Sequence, residues 1–585
     1  MDELDQPTDF STLTRRLWPV RRPLGALALV LIVAMTLPLA GPWLIGLFVD
    51  RALDGEPVST LLTIAGAFLA VTLVADGLQL LVTWQSVRLA WRIGNSLRAD
   101  LCGHALSLDL SWHSDHSAGQ LIERVDGDVD ALTKFSSTAV LGLAGNALLL
   151  AGTLVVVSFI DWRAGVLIAV VTVAAVLSMS ALRRAAVPAR DHEREVQGQL
   201  YGDLEERLGG LEDLRANGAG RWAVHRLHVN SANWWHISRK AAVRGDGALV
   251  AGDVIFAVGS ALVLGLGMLA YRSDAMSIGT VLALFRYSQL VSEPLWEVAE
   301  QLSEMQKAVA GTRRAARLLA TEPAIRDGDG PDLPEGPLAL EFDDVTFGYG
   351  TGRSVVDGVT MRVPAGSSVG LVGRTGSGKT TLGRLAARLW DTERGAVRVG
   401  GMDLRETRQV DLRRRVAVVT QEVEVLRTTL RDNLTLFGSV DADDEVLVSA
   451  LTRVGLRPWF ETLSNGLATH LDGASDLSAG EAQLLAFARV VLRDPGLFVL
   501  DEAASRLDPV TEAQLTRSTD ELLASRTSLI VAHRLATLER VDFIAVLDRG
   551  RLVEFGRRAE LVADPSSRFA TLLASERTAT KSVLP

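Results

Sequence analysis

Long apolar runs confined to the first half of the chain constrain its fold more than any other feature. Six stretches approach the ~20 apolar residues that a bilayer core requires. They are roughly Leu24–Val49, Val58–Val82, Ala139–Ile160, Ala164–Leu182, Ala248–Tyr271 and Ile278–Val298. The last is the least apolar, because it carries Arg286 and Glu293. Clustered runs of this length exceed ordinary core helices, which argues against a soluble bundle. From Leu338 onward the apolar residues come instead in short segments between charges. The pattern predicts a membrane half followed by a soluble half.

The loops orient the spans. "TRRLWPVRR" precedes the first, and the stretch between the fourth and fifth holds eleven Lys and Arg. The loops "DRALDGEP", "DWRA" and "YRSDAMS" are short and poor in bases. By the positive-inside rule the N-terminus, both long loops and the C-terminal half are cytoplasmic. The opening "MDELDQPTDFSTLTRRL" is acidic and polar, unlike a secretory signal peptide.

The two long loops keep helical periodicity and have few turn signals, so they read as continuations of the membrane helices. Each is broken once, at "SWHSDHSAGQL" and at "LGGLEDLRANGAG". A short turn at the far tip of each hairpin is expected there. Asp76, Asp253 and Arg286 fall within the spans. Arg286 lies about 10 Å into the sixth span at the helical rise. Charges at that depth face a cavity or a partner charge, or snorkel toward the interface.

Composition excludes several classes. The single cysteine, Cys102, rules out an intramolecular disulfide and a multi-cysteine metal site. A net charge of −10 gives no support for nucleic-acid binding. Abundant Ala, Arg and Val with few Lys fit a GC-rich bacterial source and hence an inner (plasma) membrane.

"TEPAIRDGDGPDLPEGP", residues 321–337, reads as a linker. The expected organisation is an N-terminal cytoplasmic segment at 1–23, a transmembrane domain at 24–320, the linker, a soluble domain at 338–575 and a tail at 576–585. In the soluble domain the strand "SSVGLVG" runs into Gly373, Arg374, Thr375, Gly376, Ser377, Gly378, Lys379, Thr380 and Thr381. This is the G-x-x-x-x-G-K-[ST] phosphate loop in its strand–loop–helix context. Its glycines let backbone N–H groups turn around phosphate oxygens, and the next helix presents its positive end. Lys379 is expected to reach the β and γ phosphates and Thr380 to bind Mg²⁺.

A second apolar strand, "LFVLDE", ends in Asp501 and Glu502. Asp501 suits a Mg²⁺-binding role, and Glu502 suits a general base polarising the attacking water. A third, "SLIVAH", ends at His533, on the sheet edge where ligands bind in such folds. "DLSAGEAQLLAFARV", Asp476 to Val490, looks like a second phosphate-touching loop opening a helix.

Together these motifs resemble the nucleotide-binding domain of ATP-binding cassette transporters. The whole chain resembles an exporter-type half-transporter, over roughly residues 12–575. The resemblance implies an all-α membrane domain of six transmembrane helices with long cytoplasmic extensions, followed by an α/β P-loop ATPase cassette. It implies that Tyr349 stacks on adenine, that Gln421 senses Mg²⁺ and the attacking water, and that His533 contacts the γ-phosphate. Ser478 and Gly480 become the signature loop, and Asp508 belongs to the loop crossing between cassettes. The breaks in the long loops become coupling helices. In the family the signature loop serves ATP held by a partner cassette, so the resemblance also implies a dimer with ATP and Mg²⁺ as ligands.

Several letters depart from the family's pattern. Ala479 and Glu481 replace the third and fifth signature residues of Leu-Ser-Gly-Gly-Gln. The stretch before the signature reads "HLDGASD", Thr420 replaces a proline, and Glu422, Glu424 and Arg427 replace apolar residues. Arg506 stands where alanine is usual, and Trp112 and His113 occupy aromatic positions of the first coupling region. These changes fall at surfaces between cassettes or between cassette and membrane domain, which favours pairing with a different half-transporter over a homodimer. The reading is therefore an ATP-driven exporter subunit for a lipophilic, lipid or peptide substrate. A regulatory ATP-binding subunit, an importer on the same fold and a gated channel are the alternatives.

Overall fold

The computed structural model describes residues 21–350, 352–421, 423–473, 476–501, 526–532 and 535–583. It has two compact units. One comprises the residues up to Leu106 together with Ala118–Thr321; the other comprises Ser107–Ser117 and the chain from Glu322 onward.

The first unit is all helical. The first span is two helices, Arg21–Thr36 and Ala40–Leu53, joined by a tight turn at Leu37–Leu39 where Pro38 sits. Three very long helices follow the expected continuity of spans and loops: Val58–Ser107, Trp162–Gly209 and Gly220–Arg272. The last two form a hairpin closed by the short helix Leu211–Ala216. Asp161 caps the second of the three, accepting from the backbone N–H of Arg163 at 2.6 Å and of Ala164 at 3.2 Å. Among the described residues, five helical stretches are long and apolar enough to cross a bilayer. Their apolar side chains point outward, as a lipid-facing surface requires: Leu62, Leu73 and Leu80 are 66, 62 and 72% exposed.

The sixth span differs from expectation. Ile278–Val298 is divided at Val291 into Ile278–Leu290 and Ser292–Ala320. Pro294 has no N–H to donate to Leu290, so the helix breaks one turn before it. Two contacts hold the first of these helices to the first span. Buried Tyr287 donates its hydroxyl to Leu39 O at 2.6 Å. At the far end Gly46 and Gly279 meet so closely that a Cβ on Gly279 would lie 2.0 Å from Gly46 O.

The second unit holds two sheets. Strands β1 (Leu340–Phe347), β2 (Val356–Val363), β3 (Ser368–Val372), β4 (Arg394–Val399) and β5 (Met402–Asp403) come first. Then come β6 (Val416–Val419), β7 (Leu497–Asp501), β8 (Thr527–Val531), β9 (Phe543–Asp548) and β10 (Arg551–Arg557). The four-stranded sheet is antiparallel, ordered β2-β1-β4-β5. The six-stranded sheet is ordered β10-β9-β3-β8-β7-β6 and is parallel except for β10. Every residue of β3 and β8 is buried, which is why these strands read as continuous apolar runs.

The linker stretch is bound to this unit from residue 322 onward. Arg388 donates to Arg326 O, Gln409 N donates to Asp327, and Arg415 donates to the carbonyls of Pro334 and Gly336. Leu333 is buried in the sheet core. In the same unit the tip of the first hairpin forms the short helix Leu110–Ser114. Trp112 stacks on His116 at 4.1 Å and meets His113 edge-on at 5.2 Å. Asp109 accepts from Ala324 N, tying this tip to the linker stretch.

Candidate nucleotide-binding site

The parallel register sets the site. Leu371 pairs with Val531, and Val531 pairs with Asp501. The ends of β3, β8 and β7 therefore share one sheet edge, and the phosphate loop leaves from the centre of it. Gly373 closes against neighbouring backbone: a Cβ there would lie 2.3 Å from Leu547 O and 2.6 Å from Ser377 Oγ. Gly376 and Gly378 adopt φ of +81° and +98°, the left-handed region that glycine enters at little cost. Arg374 and Thr375 complete the loop crest between them.

Lys379 begins the helix Lys379–Ala386 and is 4% exposed. Its Nζ donates to Gly373 O at 2.7 Å and Arg374 O at 3.2 Å, which holds the ammonium over the loop. Ser377 Oγ is buried and has no hydrogen-bond partner among the described residues. A buried hydroxyl left unsatisfied beside a buried ammonium, in a glycine cradle, fits a bound phosphate. Thr380 Oγ1 donates to Asp501 Oδ1 at 3.2 Å, so these two oxygen ligands converge. No cluster of three or more His, Cys, Asp or Glu is present among the described residues. Two protein oxygens suit Mg²⁺, which keeps waters and takes phosphate oxygens for its remaining positions.

Tyr349 lies at the loop's flank. Its hydroxyl meets Thr381 Oγ1 at 3.2 Å and accepts from Arg384 Nη1 at 3.3 Å. Phe347 and Trp390 meet its ring edge-on at 5.0 and 5.4 Å, yet it remains 38% exposed. Gln421 is exposed, two residues beyond the end of β6. Glu502, Asp508 and His533, with Glu422 and Arg506, lie outside the described residues.

Ser478 and Gly480 open the helix Ala479–Arg493. Ser478 is its N-cap in a full capping box with Glu481. Ser478 bonds to Glu481 through both its hydroxyl and its backbone N–H.

A second network was not foreseen. Arg489, on the buried side of the same helix, donates to Asn433 O at 2.8 Å, Asn433 Oδ1 at 3.1 Å and Glu424 O at 3.2 Å. Asn433, fully buried, also bonds both backbone groups of Leu426. These bonds fix the loop that follows Gln421. Burial pushes the Arg489 guanidinium below its ordinary pKa. In the adjoining helix, hydrogen bonds from Thr429 and Thr428 hold the Asp432 carboxyl below the usual range. The available signal was an arginine at an apolar helical position in "LLAFARVV".

Two family models match the chain. One, described as the ABC transporter transmembrane region, matches residues 24–295; the other, described as ABC transporter, matches residues 356–505. A multidrug efflux ATP-binding/permease protein of Mycobacterium bovis is 34% identical over 579 residues, which are 96% of this chain and 47% of that protein. The chain thus spans about half the length of that relative. An ATP-dependent lipid A-core flippase of Salmonella typhimurium is 27% identical over 94% of this chain and 95% of its own length. The fold matches a bacterial Atm1-family ABC exporter with ATP bound, with a TM-score of 0.79 at 21% identity, covering 95% of this chain and 98% of that one.

Proposed function

Because the chain belongs to the ABC transporter family, we propose that it is a half-transporter subunit that uses ATP to export a lipophilic or amphipathic substrate by alternating access. The observation that carries this reading is one chain that joins span-length apolar helices to a phosphate loop whose Thr380 meets Asp501 at 3.2 Å. The relatives named for efflux and for lipid A-core flipping support outward transport. The Lys and Arg of the long loops favour a cassette and an N-terminus on the cytoplasmic side of an inner (plasma) membrane.

In this reading the loop amides from Gly373 to Thr381 and the Lys379 ammonium bind the β and γ phosphates. Tyr349 offers its ring to adenine. Thr380, Asp501 and Gln421 would hold Mg²⁺, which when bound would neutralise charge on the phosphates. Glu502 polarises the attacking water, and His533 contacts the γ-phosphate. Ser478 and Gly480 serve a nucleotide on a second cassette, with Asp508 in the crossing loop, so a dimer completes each site.

A heterodimer is favoured by the divergent letters at the expected contact surfaces. The Ser478–Glu481 bond adds a specific reason to consider a second reading, a regulatory subunit. It places a carboxylate at the hydroxyl meant for the partner's γ-phosphate.

The test is Mg²⁺-ATP hydrolysis by this chain alone in lipid nanodiscs, with Glu502→Gln as the blank. ATP binding without turnover above the blank, restored by a second half-transporter, is the expected result. Steady turnover by the chain alone would replace the heterodimer with a homodimer. Folded protein that binds no ATP would overturn the whole reading.

A further inference from the structure

The membrane unit holds a half-open cavity of about 670 Å³, within the range of small-molecule sites. It is lined by the first span, by Phe68 and Asp76 of Val58–Ser107, and by Arg286, Glu293 and Glu297 on either side of the break at Val291. Positions 286, 293 and 297 recur at seven and four residues, so they share a helical face.

The charges do not cancel. Three carboxylates, Asp76, Glu293 and Glu297, stand against one guanidinium, Arg286, for a net of −2. Glu297 accepts from buried Asn146 Nδ2 at 2.5 Å, which fixes its orientation. Among the described residues, Asp76, Glu293 and Arg286 make no hydrogen bond or ion pair, and no two lining charges pair within 4 Å. An internal salt bridge therefore does not explain the charges, and their outward position does not make them lipid-facing, because they line a cavity. Ionised groups at membrane depth are costly and persist where they face water or an opposite charge. The surplus is negative, so the missing charge is positive. Phe68 and the aliphatic part of the wall, with Met35, Ile45, Val71 and Leu149, suit a hydrophobic body, and an aromatic face is itself attractive to a cation.

We propose that this cavity is the substrate site and that it takes a lipophilic cation, with Asp76 and Glu293 as its counter-charges and Glu297 as a positioned third. Arg286 disfavours cations by repulsion, so it limits the site to modest positive charge. The proposal rests on the transporter reading above for its role in transport, but binding itself needs neither ATP nor a second chain.

The experiment is equilibrium dialysis of tetraphenylphosphonium against nucleotide-free protein in nanodiscs, with the near-isosteric anion tetraphenylborate as the opposite probe and empty nanodiscs as the background. Saturable binding of the cation alone is expected. Asp76→Asn with Glu293→Gln should weaken it at least tenfold, and Arg286→Gln should tighten it a few fold. Opposite shifts from neighbouring substitutions exclude misfolding as the cause. Equal uptake of both ions, or cation binding indifferent to both variants, would overturn the proposal. ATP binding measured on the same sample separates the two readings. ATP bound without saturable cation binding removes this inference and leaves the transporter. Cation bound without ATP does the reverse.

Discussion

The hydroxyl of Ser478 donates to Glu481 Oε2 at 2.8 Å, and the backbone N–H of Ser478 donates to the same oxygen at 2.8 Å. Glu481 N returns the bond to Ser478 Oγ at 3.2 Å. The serine that the proposed function assigns to a partner's phosphate is thus engaged by a negative charge on its own helix.

Removing that charge separates capping from nucleotide recognition. Glu481→Gln keeps a side-chain acceptor at the third helical position and loses a carboxylate that favours the helix N-terminus by about 0.5 kcal/mol. A small fall in the cassette's melting temperature is expected, with ATP affinity in the assembled transporter rising several fold. A titration in which affinity falls along with stability would reduce Glu481 to a helix cap.

Thr380 and Asp501 should act as a unit. Asp501→Asn keeps the size and the bond to Thr380 but removes the anionic ligand. Turnover should drop by two orders of magnitude or more, and the Mg²⁺ concentration for half-maximal activity should rise, while Mg²⁺-free ATP binding is retained. Magnesium titrations of the two proteins decide this, and superimposable curves would exclude Asp501 from the metal site.

The outer end of the first span should depend on two glycines. A Cβ on Gly279 would meet Gly46 O at 2.0 Å and Asp50 Cγ at 2.6 Å. Asp50 also accepts from Gly279 N at 2.7 Å and from Ser277 Oγ. Gly279→Ala must part these helices, at about 1–3 kcal/mol by analogy with overpacked cores. Thermal unfolding in nanodiscs should shift downward while cassette ATP affinity holds. An unchanged transition would mean that the crossing relaxes without cost.

What the sequence disclosed follows from how locally each feature is encoded. The phosphate loop and the β3, β7 and β8 runs are short and contiguous, so their order alone identified the sheet edge. The membrane helices were legible from run length, and their extensions from unbroken periodicity. The division of the sixth span is encoded by Pro294, whose missing N–H acts one turn upstream. The Ser-x-x-Glu pattern at Ser478 was present as a capping box, yet it read only as a departure from a family signature. Arg489 and Asn433 were hidden for a different reason. The carbonyls of Asn433 and Glu424 that Arg489 reaches lie 56 and 65 residues away in sequence, and no local pattern encodes that.

Asp128 and Arg314 offer the last test, on the cytoplasmic extensions. Asp128 is 3% exposed, and Arg314 holds it with both Nε and Nη2, at 2.9 and 2.5 Å for the shortest contacts. The hydrogen bond to Asp128 raises the Arg314 pKa further, so the guanidinium stays charged. Gly311 permits the approach: its Cβ would lie 2.9 Å from Asp128 O. Removing one partner strands a buried charge, whereas replacing both with apolar groups of similar shape removes the desolvation cost as well. The Arg314 side chain is about half exposed, so water can take over part of its role. Arg314→Ala should therefore cost about 2 kcal/mol, below the full penalty for a sealed pair. Asp128→Leu with Arg314→Met should recover most of it. Chemical unfolding of the wild type, both single variants and the double variant gives the coupling directly. A double variant no better than Arg314→Ala would mean that the pair fixes the helices' alignment and not merely their charge balance. In that case transport would fall with the pair even where stability is restored.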